Sequence, residues 1–179
     1  MKKEVRNYIS NCKPCQINKE KRKSKQPLVI YTTSSTAFER VALDIVGPLT
    51  KSRNDYMYIL TLQDDLTKFS AAYPLKTTDA ATIAKTFVEK FVCYFGNPTN
   101  ILSDQGSNFL SSLFKQMCKL LKINKMQTTA YSPMTNVALE RSHKTLKEYL
   151  RNFSDEKQEN WCEMLSYASI CITQHHIPL

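Results

Sequence analysis

The sequence has no apolar run of the roughly 18 residues that a membrane-spanning helix requires. Its first residues are charged and lack the apolar stretch of a secretory signal, and no segment repeats another. With six cysteines and no such signal, we expect a nuclear or cytoplasmic protein, away from membranes, whose cysteines are mostly free thiols.

Histidine is scarce: the chain has three, and none precedes His143. A structural zinc ion usually takes four Cys or His ligands, and Cys12 with Cys15 supplies only two of them. A redox role for this pair is not favoured, because no thioredoxin-like pattern of strands and helices surrounds it.

Positive charge is concentrated at the start of the chain. The net charge is +9, and residues 1–26 contribute most of it, with nine basic and two acidic residues. Such a basic arm suits the phosphate backbone of a nucleic acid. A solvated linker has the same composition, so charge alone does not decide between the two.

Hydrophobic periodicity predicts an α/β fold. Runs of apolar, β-branched and aromatic residues predict five strands, at 40–46, 56–63, 68–75, 99–103 and 126–130. Apolar residues spaced three and four apart predict a short helix within 1–18 and longer helices over 78–95, 107–121, 137–153 and 160–173. This order favours a mixed five-stranded sheet flanked by helices, formed by residues 37–174. Residues 19–36 are predicted to be a basic linker and residues 175–179 a tail.

Two aspartates lie in or beside predicted strands. Asp44 interrupts the apolar run 41–46, where an unpaired carboxylate would be costly, so it needs a cation. That cation is an arginine, a lysine such as Lys68, or a metal ion. Asp104 ends a strand and either caps the following helix or joins a site at the carboxyl ends of the strands.

A third carboxylate, Glu140, follows Asp104 after 35 intervening residues. It lies on the helix predicted over 137–153, with Lys144 and Lys147 on the same face at i+4 and i+7. Glu140 therefore either forms a surface ion pair with Lys144 or converges with the two aspartates. Three oxygen ligands without histidine favour Mg²⁺ or Mn²⁺ over Zn²⁺, and two such ions are suited to in-line attack on a phosphodiester.

The motifs around these acids resemble the integrases of gypsy-like LTR retrotransposons and retroviruses. The resemblance covers most of residues 5–174 and is carried by the segments Leu43–Leu49, Ser103–Phe109 and Ala130–His143, together with the 35-residue spacing of the last two acids. The segment Tyr8–Lys19 is similar to the end of the His-His-Cys-Cys zinc module of that family.

The resemblance implies an RNase H-like sheet in which Asp44, Asp104 and Glu140 bind two Mg²⁺ or Mn²⁺ ions. It implies trimming of DNA 3′ ends and their joining to target DNA, by a protein that forms homo-oligomers. Four residues are then expected to contact DNA: Lys144, Lys147, His143 and Asn136, the last of which is also the expected helix N-cap. In this reading residues 1–18 are a remnant zinc module, and Cys12 and Cys15 bind zinc only if histidines precede the chain.

Two departures from the family pattern leave alternatives open. Met134 and Val137 stand where the family commonly has Gln and Gly, in the loop that delivers Glu140. One alternative is therefore a catalytically impaired module that binds DNA or protein. A second is an RNase H-like nuclease, although a late-helix Glu as third acid favours the transferase.

Overall fold

The computed structural model describes residues 2–11, 34–127 and 133–174, and within 133–141 only the backbone. Residues 1–32 and 33–179 form two compact units. The first contributes one described helix, α1 (Lys2–Asn11). None of the helices in these ranges is both long and apolar enough to cross a membrane.

The strands and helices of the second unit follow one another in the predicted order, except that one predicted helix is two. Its strands are β1 (Arg40–Val46), β2 (Tyr58–Asp64), β3 (Ser70–Leu75), β4 (Asn100–Ser103) and β5 (Asn124–Gln127). Its helices are α2 (Ala80–Phe87, continued by a π-helical turn at Val88–Val92 and by Cys93–Phe95), α3 (Ser107–Leu110), α4 (Ser112–Leu120), α5 (Pro133–Phe153) and α6 (Trp161–Gln174).

The five strands form one mixed sheet in the order β3-β2-β1-β4-β5. Strand β1 is central, as its apolar residues on both faces predict. It runs antiparallel to β2 and parallel to β4, and β4 runs parallel to β5. The carboxyl ends of three parallel strands therefore meet at one edge of the sheet.

Each face of the sheet is covered by helices. On one face α2, α3 and α4 pack against Val41 and Leu43 of β1. On the other face α5 and α6 pack against Val46 and Ile59 through Leu146 and Trp161. Because side chains alternate along a strand, Asp44 points to the face that α5 and α6 cover.

Three sequence-based boundaries were wrong. The helix expected over 107–121 is two helices, because Ser111 adopts an extended ψ of 150° and its hydroxyl accepts a hydrogen bond from Phe114 N (3.2 Å). Strand β5 begins at Asn124, earlier than expected, since pairing of Asn100 with Asn124 fixes its register, and the predicted part at 128–130 lies outside the described residues. Helix α5 begins at Pro133, a residue suited to the first helical position. Asn136 therefore lies inside the helix and is not its N-cap.

Candidate metal-binding active site

Asp44 and Asp104 occupy adjacent positions at the carboxyl ends of β1 and β4. Leu43 pairs with Ser103 in the parallel ladder; Asp44 follows Leu43 within β1, and Asp104 is the first residue after β4. The negative charge of Asp104 accordingly raises the pKa of Asp44. The sheet thus brings together two of the three predicted acids, which are 60 residues apart in the sequence.

Asp44 lies in a partly desolvated position. Its side chain is 30% exposed, and burial is the first cause of its raised pKa, followed by the Asp104 charge. Its Oδ1 accepts a hydrogen bond from Ile45 N (2.7 Å), which opposes the rise. A partly buried carboxylate with a second negative charge nearby is a position where a bound cation is favourable.

Lys68 is not the cation that compensates Asp44, so that alternative was wrong. Its ammonium instead donates to the Asp65 carbonyl (2.6 Å) and lies 3.4 Å from Asp65 Oδ1. Lys68 lies in the turn between β2 and β3, which follows Asp64, the partner of Val41 near the start of β1.

The carboxylate of Asp104 is exposed and oriented by its own loop. Its Oδ1 accepts a hydrogen bond from Gly106 N (3.0 Å). Gly106 is itself the N-cap of α3, so Asp104 bonds an amide just before the first helical turn. A Cβ at position 106 would lie only 3.0 Å from Asp104 Oδ1. This tight approach explains why glycine follows Gln105 here.

Glu140 lies on α5, seven residues after Pro133, and its side chain falls outside the described residues. The Glu140–Lys144 pair therefore stays a prediction. The ammonium of Lys144 lies 3.9 Å from Glu148 Oε1, with both side chains largely exposed. Lys147 is also exposed. Its positive charge opposes the rise in the pKa of Asp44 and, after burial, helps to lower the pKa of His143, so it lies near both.

His143 projects from α5 between β1 and β2. Its Nδ1 lies 3.6 Å from Asp44 Oδ2, and its Nε2 lies 3.0 Å from Thr61 Oγ1. The ring is only 16% exposed. Burial, followed by the Lys147 charge, lowers the pKa of His143 to about 4, so the imidazole is neutral at pH 7.

A second polar contact docks the same helix on the same strand. Gln63 Nε2 donates to Ser142 Oγ (2.8 Å) and to Ser70 Oγ (3.1 Å), and all three residues are buried. Sequence reasoning missed Thr61 and Gln63. Polar residues at alternate positions of an otherwise apolar strand were the available signal, since both must find a partner on one face.

The remaining predicted site residues lie where the structure does not describe their side chains. Cys12 and Cys15 are outside the described residues, and only the backbone of Asn136 is described. Within the described part of the chain, no group of three or more His, Cys, Asp or Glu side chains could hold a metal ion. That search does not include Glu140.

The donors that are described fit a hard divalent cation. Asp44 and Asp104 offer carboxylate oxygens at neighbouring strand ends, and oxygen ligands suit Mg²⁺ and Mn²⁺. Burial and the Asp104 charge raise the pKa of Asp44 although Lys147 opposes the rise, so a bound cation would be favourable there. A mixed sheet of this order, with two acids at the ends of its parallel strands, defines an RNase H-like α/β domain.

Comparison with known proteins identifies the family. The family model for the integrase core domain matches residues 35–133, more than half of the chain. The chain is 36% identical over 171 residues to the retrovirus-related Pol polyprotein from transposon 412 of Drosophila melanogaster, covering 96% of this chain and 14% of the polyprotein. It is 27% identical over 168 residues to the transposon Tf2-3 polyprotein of Schizosaccharomyces pombe, covering 93% of this chain and 12% of that one.

Comparison with solved structures finds the same fold. A chain of the simian T-cell lymphotropic virus intasome, solved in complex with the PP2A regulatory subunit B56 gamma, matches with a TM-score of 0.72 at 22% identity, covering all of this chain and 62% of that one. The catalytic core domain of BIV integrase matches with a TM-score of 0.61 at 19% identity, covering 79% of this chain and 88% of that one.

The chain belongs to the integrase core domain family. The expected resemblance and the RNase H-like fold are therefore confirmed. Members of this family are polynucleotidyl transferases that generally use divalent metal ions. The chain spans about one seventh of the length of the polyproteins it matches.

Proposed function

We propose that this chain is the catalytic part of an integrase-type polynucleotidyl transferase, which trims DNA 3′ ends and joins them to target DNA. One observation carries the proposal: in a chain of this family, Asp44 and Asp104 lie side by side at the ends of parallel strands. Glu140 is the third acid of the proposed site. It belongs to the helix that covers the sheet face to which Asp44 points.

Asp44, Asp104 and Glu140 would hold two Mg²⁺ or Mn²⁺ ions. When bound, such ions stabilise negative charge on the reacting phosphate and lower the pKa of the attacking hydroxyl or water. The protein's own contribution is orientation. Ile45 N and Gly106 N each bond one carboxylate oxygen of the two aspartates, so the remaining lone pairs point in restricted directions.

Two lysines beside the site suit the DNA backbone. Lys147 is exposed and acts electrostatically on Asp44. Lys144 lies one turn after Glu140 and is 79% exposed, so its ammonium can exchange Glu148 for a phosphate. Asn136 and His143 complete the proposed DNA-contacting set. His143 is partly enclosed by protein, so any contact that it makes with DNA is limited to its exposed edge.

DNA and further copies of this chain are the proposed partners. A groove of about 1040 Å³ lies between α2 and α6 along β3, and its lining includes Ile170 of α6, which is 56% exposed. The exposed faces of these two helices are the surfaces we propose for self-association. We also propose that residues 1–18 derive from a zinc module, that residues 19–36 link it to the core, and that the protein works in the nucleus or cytoplasm.

The test is a strand-transfer assay with a labelled DNA end and Mn²⁺. Wild-type protein should trim or join the end, while Asp44→Asn and Asp104→Asn should lose at least about a thousandfold in rate, because metal sites supply several kcal/mol of transition-state stabilisation. Glu156→Gln, a change at an exposed carboxylate in the turn between α5 and α6, serves as the matched control. Salt-dependent DNA binding with no chemistry would favour the impaired module instead, and cleavage of RNA–DNA hybrids alone would favour the nuclease.

A further inference from the structure

Asp44 and Thr61 face one another across β1 and β2. They are partners in the antiparallel ladder, so their side chains share one face of the sheet. Thr61 Oγ1 lies 3.0 Å from the Asp44 carbonyl oxygen and 3.0 Å from His143 Nε2. The hydroxyl therefore has two acceptor atoms in reach and one proton to give.

The position of that proton fixes the tautomer of His143. If Thr61 donates to the Asp44 carbonyl, His143 Nε2 must carry hydrogen, and the Nδ1 lone pair then faces Asp44 Oδ2 at 3.6 Å. If Thr61 donates to Nε2, the proton is on Nδ1 and points towards the carboxylate. An ionised Asp44 favours the second arrangement, because a lone pair against a carboxylate is repulsive and an N–H dipole is attractive. The 3.6 Å separation is longer than a hydrogen bond, so this attraction is electrostatic.

We propose that His143 and Thr61 are positioning residues that hold Asp44 in its ligand orientation and tie α5 to the strand that carries it. Ile45 N restrains Asp44 Oδ1 at 2.7 Å, and His143 Nδ1–H faces Oδ2. Both carboxylate oxygens thus have a protein neighbour, which restricts rotation of the carboxylate. The same imidazole belongs to the helix of Glu140, so it links the positions of two acids.

The docking of α5 does not depend on His143 alone. Ser142 is held by Gln63, two residues along β2 from Thr61, and Leu146 is completely buried in the core of that face. Removal of the imidazole or the Thr61 hydroxyl should therefore leave the helix in place. What changes is the orientation of Asp44, and groups that orient metal ligands in this way typically contribute ten- to a hundredfold to metal affinity.

The predicted effect on metal affinity rests on the proposed function, whereas the predicted tautomer of His143 does not. In the full-length, metal-free chain, ¹⁵N chemical shifts of His143 should report the Nδ1–H tautomer at pH 7. Asp44→Asn should shift the population towards Nε2–H, since an amide can donate to Nδ1. A wild-type His143 in the Nε2–H form would overturn the proposal whether or not metal binds.

Mn²⁺ titration of the same chain supplies the second readout. Thr61→Val and His143→Ala should weaken Mn²⁺ binding by about tenfold or more, with an unchanged melting temperature. Thr61→Ser should restore wild-type binding because it keeps the hydroxyl, and Thr99→Val, at an exposed threonine before β4, should have no effect.

Unchanged Mn²⁺ affinity in both Thr61→Val and His143→Ala would refute the positioning role. A wild-type chain that binds no Mn²⁺ at Asp44 would refute the proposed function and the predicted effect on metal affinity. The tautomer of His143 would then still test whether its imidazole orients Asp44.

Discussion

Asp44 and Asp104 are neighbours at the edge of the sheet because Leu43 and Ser103, the residues before them, pair in the parallel ladder. The backbone and the strand order set this relationship, so rotation of side chains does not change which two positions are adjacent. It places two carboxylates together where the helices leave the strand ends open, which is the usual position of ligand sites in α/β sheets.

Crowding of the two acids predicts that Asp44 destabilises the metal-free protein at neutral pH. Burial and the Asp104 charge raise the pKa of Asp44. The native state therefore binds more protons than the unfolded state, and stability is lost as pH rises through the folded-state pKa. Asp44→Asn should raise the melting temperature without metal at pH 7, measured by calorimetry.

With magnesium bound, wild type should become more stable than Asp44→Asn. Saturating Mg²⁺ should stabilise wild type, by about 2.7 kcal/mol at a hundredfold excess over its dissociation constant, and should leave Asp44→Asn unchanged. A variant that is less stable than wild type without metal, or that responds equally to Mg²⁺, would show that Asp44 has a structural role instead.

We expect Lys147 to contribute to the electrostatic attraction between the site and DNA. Because it is exposed and acts on Asp44, Lys147→Ala should weaken binding of a DNA end and reduce the slope of log affinity against log salt by about 1. Lys119→Ala, an exposed lysine on α4, is the matched control. Equal effects of the two changes would mean that DNA binding is spread over the surface and not centred on the acids.

Self-association should depend on the groove between α2 and α6. Ile170→Glu should weaken self-association by about tenfold or more in analytical ultracentrifugation, since an unpaired charge would be buried. Leu120→Glu, at a residue 83% exposed on α4, should not change the association. If the Leu120 variant dissociates and the Ile170 variant does not, the contact surface lies elsewhere.

The N-terminus of α2 depends on Asp79. Its carboxylate accepts hydrogen bonds from Thr77 Oγ1, Thr82 Oγ1 and Thr82 N, and these lower the pKa of Asp79. Asp79→Ala should cost about 1 kcal/mol of stability. Asp79→Asn should cost less in urea denaturation, because its amide oxygen keeps the cap.

The pH dependence of this cap has a definite sign. A lowered pKa means that the stabilisation is complete above the unfolded value near 3.9 and is lost as pH falls towards the folded-state value. The difference in stability between wild type and Asp79→Ala should therefore shrink below pH 4. A constant difference across this range would show that the carboxylate charge has no part in the cap.

The sequence predicted those parts of the fold that depend on local pattern. Central strand β1 was recognisable because both its faces are apolar. The break at Ser111 was not, because one side-chain hydrogen bond overrides a continuous apolar stripe. Nor was the π-helical turn at Val88–Val92, where the Lys90 carbonyl accepts a hydrogen bond from Tyr73 Oη (2.9 Å).

Two of the three candidate acids could be picked out from the sequence, and the residues that contact them could not. Asp44 stands out as a charge inside an apolar strand, and Asp104 as a charge directly after one. The contact of His143 with Thr61 joins residues 82 positions apart, and it requires the β1–β2 register and the rotation of α5. Neither can be read from the periodicity of one segment.

The most direct test of the central claim is a crystal structure of this chain soaked with Mn²⁺, with anomalous scattering used to locate the ions. The account predicts manganese bound jointly by Asp44 and Asp104, with a second ion about 4 Å away that Glu140 helps to bind. It also predicts loss of both peaks in Asp104→Asn crystals. Saturating Mn²⁺ with no peak in contact with Asp44, or a peak there that persists without Asp104 and Glu140, would contradict it.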